Sequence, residues 1–328
     1  MSFGLGIDFG GTKVLAGVVD LETGEVLATA KKKTNAADST SQMMERLFVV
    51  GAEALGKAGL RNEDVAGIGV GLAGQIDTIR GILLGAPNLS QSTVNLPMAE
   101  LLREHFGVPT YLRNDVQVAA LGEAAFGAGK GQPDFVCVFV GTGIGGALVR
   151  DGNLVAGAAG AAGEIGHIII DANGRLCGCG GRGHLEAYAS RTAITKAAIG
   201  ELKLGRVSVL REFLEDSAND SAGAAVIRSG VLARALEAKD GLAQDIVQEA
   251  GVYLGYGLAS VINLLNPARI ILGGGVIEAV DELTVVAERI ARRESLATSG
   301  KAVEIVKAGL GDYAGVVGAA LLNRKPNA

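Results

Sequence analysis

The chain has 328 residues, 48% of them apolar and 20% charged, with a formal net charge of −5. That length supports a core large enough for two lobes, and the apolar content excludes a low-complexity or disordered chain. No basic run exists beyond Lys31-Lys32-Lys33, which argues against a nucleic-acid partner, and the most apolar helical stretch, 251–265, is too short to span a bilayer.

In chain order, Phe3-Gly-Leu-Gly-Ile-Asp8 predicts a strand and 14–20 a second, with Gly10-Gly11-Thr12-Lys13 between them and a Thr23-Gly24 turn after. No basic segment followed by an apolar one precedes them, so no signal peptide is expected. Lys31–Lys33 end a strand-like run and predict a solvated sheet edge, where charge blunts pairing with other chains. Helices are expected over 39–58 and 98–106, and strands over 65–71 and 109–112. A further helix over 116–126 opens from Asn114-Asp115. Residues 135–140 predict a buried strand with Cys137 in the core. The turn Gly141-Thr142-Gly143-Ile144-Gly145-Gly146 follows, then a strand over 147–150 ending at Asp151-Gly152. Beyond a cysteine-bearing loop, helices are expected over 185–200, 222–238 and 245–265, the last stopped by Asn266-Pro267. A strand over 269–272, a Gly273-Gly274-Gly275 turn, a helix over 281–293, a strand over 303–306 and a helix over 314–323 complete the chain. Strand, glycine-rich turn, strand and turn thus occur twice. That weak repeat predicts two related α/β lobes with mixed sheets flanked by helices.

Residues 164–186 hold two of the three histidines, His167 and His184, and two of the three cysteines, Cys177 and Cys179. Their spacing suits a tetrahedral Cys2His2 zinc site; the alternative is a disulfide or idle thiols in a glycine-rich loop. Cys-x-Cys is a strained disulfide spacing, and three cysteines in no paired framework fit the cytoplasm, which favours the metal.

Gly141–Gly146 matches the dinucleotide pattern G-x-G-x-x-G in the wrong context, because a strand rather than a helix is expected after it. A hairpin turn rich in glycine can instead present amides to phosphate, through Thr142, Gly143, Gly145 and Gly146. Gly10, Gly11, Thr12 and Lys13 can do the same with a hydroxyl and an ammonium added, and Gly273 and Gly274 precede a helix. Each loop alone reads as a tight turn; the three together with Asp8 favour binding of a nucleoside triphosphate. Asp115 can be a carboxylate that merely stabilises a helix N-terminus, or a general base for phosphoryl transfer to an alcohol, with Mg2+ and positioning supplying the rest.

Taken together, Gly6-Ile-Asp-Phe-Gly-Gly-Thr-Lys13, Ala86-Pro-Asn-Leu89, Asn114-Asp115, the 141–146 turn, Gly163-Glu-Ile-Gly-His167, the Cys-Gly-Cys-Gly segment with Leu185-Glu186, and Gly273–Gly275 resemble the ROK family of sugar kinases and sugar-responsive repressors, nearest its bacterial glucokinases. The resemblance implies an α/β, actin-like ATPase (hexokinase-type) fold, two lobes with a cleft between them. The division expected is 1–113 plus about 303–328 against 114–302. It implies ATP and Mg2+ as cofactors and a hexose as substrate, with glucose to glucose 6-phosphate first. N-acetylmannosamine, N-acetylglucosamine, mannose or fructose are alternatives, and a non-catalytic sugar sensor is a further one. It places the base on Asp115 and sugar contacts on Asn88, Asn114, Glu164, His167 and Glu186. Structural Zn2+ falls on His167, Cys177, Cys179 and position 184. A homodimer or homotetramer is expected, with no membrane or nucleic-acid partner; a strand beginning at residue 3 leaves no room for the repressors' added helix-turn-helix. Two departures stand out. Position 184 is usually a third cysteine and here is His184, which removes one negative charge. The tryptophan usual after Asn88-Leu89 is replaced by Ser90-Gln-Ser-Thr93, which leaves the hexose open.

Overall fold

A computed structural model describes residues 2–10, 13–34, 39–86, 93–212 and 226–323. The chain divides into two compact units, Met1–Asp134 with Ala147–Ala162 and Ala308–Ala328, and Phe135–Gly146 with Gly163–Lys307.

The first unit opens with β1 (Phe3–Phe9), β2 (Lys13–Asp20) and β3 (Val26–Lys33), followed by α1 (Thr40–Ala58), β4 (Val65–Leu72) and a short ribbon of β5 (Gln75–Asp77) and β6 (Ile82–Gly85). Then come α2 (Met98–Phe106), β7 (Thr110–Asn114) and α3 (Asp115–Phe126). Its sheet runs β3-β2-β1-β4-β7, antiparallel through the first three strands and parallel through β1, β4 and β7. The lysine-bearing β3 is the edge, with Lys31 and Lys33 exposed, as the charge pattern predicts. Helix α1 starts at Ser39, which takes the Gln42 amide while Gln42 returns a bond to the Ser39 amide, and stops at Gly59 with φ 70°.

Strand β1 alternates Leu5, Ile7 and Phe9 with Gly4, Gly6 and Asp8. The apolar set packs with Met43, Leu47 and Val50 of α1 and with Met98 and Leu102 of α2, each buried aliphatic contributing roughly 1.5–3 kcal/mol. The other set faces the C-terminal helix α11, named with its range below. Gly6 pairs with Gly17 of β2 and Gly69 of β4, so three strands present a row without side chains. A Cβ on Gly6 would lie 1.9 Å from the Val316 carbonyl oxygen, and one on Gly69 1.8 Å from that of Ala319. The glycine abundance therefore serves close backbone approach.

Glu123 of α3 is fully buried. Its carboxylate accepts the amides of Ala128 at 2.7 Å, Gly309 at 2.9 Å and Leu310 at 2.9 Å. One side chain thereby joins the end of α3 to the segment that leads into α11.

A second sheet contains β8 (Phe135–Val140), β9 (Ile144–Arg150), β10 (Asn153–Leu154), β11 (Arg269–Gly273) and β12 (Glu304–Lys307), in the order β10-β9-β8-β11-β12. Its plan matches the first sheet: a meander, then strands joined in parallel at β8, β11 and β12. The weak sequence repeat is thus a repeat of sheet topology. Cys137 is buried with 0% exposure, as expected.

The helices that follow are α4 (Glu186–Ala189), α5 (Arg191–Lys203), α6 (Ser229–Glu237), α7 (Gly241–Leu265), α8 (Gly275–Ala279), α9 (Asp281–Glu294), α10 (Ala297–Ala302) and α11 (Ala314–Leu321). The helix expected over 185–200 is two, because Ser190 takes an extended conformation and its hydroxyl caps α5 at the Ala193 amide. The helix expected from 222 begins at Ser229, and 222–225 lie outside the described residues. Helix α7 starts four residues earlier than expected because Asp240 caps it through the Ala243 amide, and it stops at Asn266 with φ 45°. The hairpin of β5 and β6 was not expected. No described helix is long and apolar enough to cross a membrane.

The glycine row yields a stability test. Gly6→Ala drives a methyl into a backbone carbonyl and is expected to destabilise by more than about 2 kcal/mol in urea unfolding. Gly56→Ala, in α1 with nothing within 4 Å of the added carbon, should instead stabilise by roughly 0.5–1 kcal/mol.

Candidate active site

The first unit gathers four charged side chains at one end of its sheet. Asp8 ends the glycine face of β1. Opposite it, Gly71 of β4 pairs with Asp8, and a Cβ there would meet Val118 at 2.4 Å and the Asp115 Cα at 3.5 Å. Gly315, at the start of α11, comes as near, its added carbon falling 2.9 Å from the Asp8 carboxyl carbon. Burial pushes Asp8 up to about 7; the negative charges of Asp115 and Asp312 add to this and Lys13 opposes it. Lys13 opens β2 and reaches Asp312 at 2.9 Å, an exposed pair that contributes little to stability. The Gly10 amide bonds the Lys13 carbonyl at 3.0 Å. Gly11 and Thr12 lie outside the described residues, as does Asn88.

Asn114, rather than Asp115, caps α3. Its side-chain oxygen accepts the Val116 amide at 3.0 Å and the Gln117 amide at 3.2 Å. Asp115 is the first helical residue, half-buried, with one oxygen on the Val116 amide at 2.9 Å. The capping bonds are therefore met by Asn114, and Asp115 adds a first-turn carboxylate beside Asp8.

The 141–146 glycines belong to the second unit; β9 runs on directly from Ile144, so no helix follows them and the dinucleotide-binding geometry is absent. This turn is gripped from one side. Glu186 accepts the Ile144 amide at 2.9 Å, in space that a Cβ on Gly143 would fill at 2.2 Å. The Arg191 amide bonds the Gly141 carbonyl at 3.0 Å. Arg191 Nη2 donates to Thr142 Oγ1 at 2.6 Å, and Thr192 Oγ1 donates to the Thr142 carbonyl at 2.7 Å. Gly273 and Gly274 have a packing reason of their own: a Cβ on the first would strike the Phe139 ring at 2.6 Å, and one on the second the Val140 carbonyl at 2.6 Å. Gly275 then opens α8 rather than extending a turn.

The same unit brings His167, Cys177, Cys179 and His184 together, with one ligand atom from each lying within 4.8 Å of the others. The two Nδ1 atoms are 3.4 Å apart, Cys179 Sγ is 3.2 Å from His184 Nδ1, and Cys177 Sγ is 3.9 Å from His167 Nδ1. A zinc tetrahedron with ordinary bond lengths has N–N edges of about 3.3 Å and N–S edges of about 3.6 Å, so this donor set fits the ion. All three cysteines are free thiols, which removes the disulfide reading. Burial pushes the Cys177 thiol up to about 11, with Glu186 and Cys179 beside it contributing. The loop is tied down by Tyr188, whose hydroxyl donates to Asp171 at 2.9 Å and accepts the Arg175 amide at 2.8 Å, while Arg175 pairs with Glu249. Glu186 touches this cluster too, its Oε1 lying 3.6 Å from Cys177 Sγ. Glu164 is exposed, and its carbonyl takes the His167 amide in the short 3-10 turn Ile165–His167.

Sequence reasoning missed Asp312, Arg191 and Tyr188. Asp312 is 299 positions from its partner, beyond any local pattern. Arg191 carried a signal, a cation at the first position of a helix, where the macrodipole disfavours it.

The ROK family profile matches residues 4–325. A glucokinase of Streptomyces coelicolor is 32% identical over 333 aligned positions, covering 100% of this chain and 99% of that one. The DNA-binding transcriptional repressor Mlc of Escherichia coli is 30% identical over 260 positions, covering 79% of this chain and 61% of that one. Among solved structures, a ROK family glucokinase from Streptomyces griseus in complex with glucose and AMPPNP superposes with a TM-score of 0.85 at 32% identity, covering 99% of this chain and 100% of that one. The chain belongs to the ROK family and has its actin-like ATPase fold.

Asp8 sets a pH dependence. Its folded pKa lies above the ordinary 3.8, so the folded state holds the extra proton and stability falls as pH rises from about 4 to about 7. Without nucleotide or metal, Asp8→Asn should therefore melt higher than the parent at about pH 8 and lose that advantage at about pH 5. A difference that does not change with pH would mean that Asp8 ionises normally.

Proposed function

We propose that this member of the ROK family is an ATP-dependent kinase that phosphorylates a hexose hydroxyl, with glucose, to glucose 6-phosphate, as first substrate and Asp115 as general base. The observation that carries the reading is the placement of Asp115, at a strand end beside Asp8, where Asn114 has already met the capping requirement. Asp115 accepts the proton of the attacking hydroxyl as its oxygen closes on the γ-phosphorus, and the bond to the ADP oxygen breaks. The 141–146 turn and the β1–β2 turn with Lys13 hold the phosphates, and Gly273 and Gly274 serve the nucleoside. Mg2+ bound with the nucleotide would supply positive charge, and near Asp8 it would favour the ionised carboxylate that burial and Asp115 oppose.

Asn88, Asn114, Glu164, His167 and Glu186 are assigned to the sugar. The observed geometry supports this for His167, since Nδ1 turns to the Cys/His cluster and leaves Nε2 for another partner. A structural zinc on His167, Cys177, Cys179 and His184 would fix that ring's orientation.

A coupled ADP-release screen over hexoses and N-acetylhexosamines tests the activity; glucose is expected to give the highest kcat/KM, and turnover of none would overturn the reading. Asp115→Asn should lower kcat by at least about a hundredfold while leaving sugar affinity near that of the parent. Turnover within a few-fold of the parent would remove Asp115 from the base role. For the metal, protein prepared without chelator should carry about one zinc per chain. His184→Ala should lose it readily, and His184→Cys should retain or tighten it. Because the Cys177 proton must leave, affinity should weaken as pH falls. Full activity with negligible zinc would sink the assignment.

A further inference from the structure

Arg191 is the first residue of α5, half-buried, and burial lowers its pKa. A guanidinium offers five N–H donors. Nη2 uses one on Thr142 Oγ1, while Nε is buried without a hydrogen-bond partner. Among the described residues no carboxylate pairs with this group. A cation in that position carries three penalties: desolvation, an orphaned donor and the positive end of a helix. The neighbouring backbone cannot supply an anion's contacts in its place. The amides of Arg191, Thr192 and Ala193 already bond the Gly141 carbonyl, the Thr142 carbonyl and the Ser190 hydroxyl. The 141–146 turn itself contains no charged side chain, in contrast to the β1–β2 turn, which has Lys13. Arg191 is thus the one cation bonded to this turn among the described residues, with donors to spare.

We propose that Arg191 is a phosphate-binding residue of the nucleotide site: Thr142 aims its guanidinium, and the spare N–H groups take oxygens of the triphosphate chain carried by the 141–146 turn. An anion on the terminal Nη groups would offset the desolvated charge and the repulsion at the helix end, and the planar fork suits two phosphate oxygens. The proposal rests on the reading of that turn as a phosphate cradle, and extends it to a residue outside the turn.

Binding of the β,γ-imido ATP analogue, of ADP and of adenosine to the purified full chain tests it, by calorimetry on the parent and on Arg191→Ala, Arg191→Gln and Arg191→Lys. Loss of a charge-assisted pair is expected to weaken the analogue and ADP by about tenfold to a hundredfold in the alanine variant, with adenosine affinity and the KM for sugar within about twofold of the parent. Glutamine keeps a donor for Thr142 without the charge and should behave like alanine. Lysine keeps the charge without the fork and should fall between. The analogue's affinity should also lose part of its salt dependence in the uncharged variants. Unchanged analogue binding in Arg191→Ala would overturn the proposal while leaving the kinase reading intact. An equal loss for adenosine would make Arg191 a structural brace and overturn it as well. A parent chain that binds no analogue and turns over no sugar would overturn both.

Discussion

The first unit depends on peptide groups that meet with no side chain between them. Gly6, Gly17 and Gly69 lie side by side across three strands; the carbonyls of Val316 and Ala319 occupy the space that Cβ atoms on Gly6 and Gly69 would take, and the Val316 side chain fills it at Gly17. The same approach joins α11 to α3, where a Cβ on Gly318 would fall 1.6 Å from the Val118 carbonyl. Such contacts are inflexible, because a backbone carbonyl cannot swing aside as a side chain can. They fix where α11 begins, and with it Gly315 against Asp8. The electrostatic character of Asp8, and so of the Asp8–Asp115 neighbourhood, is a consequence of packing on the glycine face.

In the second unit one carboxylate serves two structures. Glu186 holds the Ile144 amide at the root of the glycine turn and touches Cys177 in the Cys/His cluster. Its own helix is only Glu186–Ala189, and the next, α5, sends Arg191 and Thr192 back to Thr142. A stretch of seven residues, 186–192, therefore ties the candidate metal loop and the glycine turn to one another. Movement of the loop would reach the turn through short, polar, directional bonds rather than through soft apolar packing.

Much of this was legible in the sequence, for physical reasons. The strand-like run of 3–8, the charge on 31–33, the helix stop at Asn266-Pro267 and the apolar run of 135–140 are local signals, and the elements formed where they pointed. The His/Cys grouping was legible because its members lie within eighteen positions. What escaped was decided by capping or by distance. Ser190 looked like any serine in a helical stretch until its extended backbone made it a cap. The β5–β6 ribbon is too short to carry a periodic signal. Asp312 and the amides bound by Glu123 sit far along the chain from their partners, and only the fold brings them close.

The position of α11 has a further consequence during synthesis. The first unit is discontinuous: its sheet and early helices come from residues up to 134, while the helix that covers its glycine face arrives only after 307. At ordinary translation rates the intervening segment takes roughly 10 to 35 s to emerge. For that interval the nascent unit has a strand row with neither side chains nor a helix over it, and a Glu123 carboxylate still waiting for two of its three amides. The second unit, largely an insertion, is complete before the first can close. Ribosome-bound chains stopped short of residue 314 should therefore be where holdase chaperones find this protein, and the segment that carries α11 is the one that releases it.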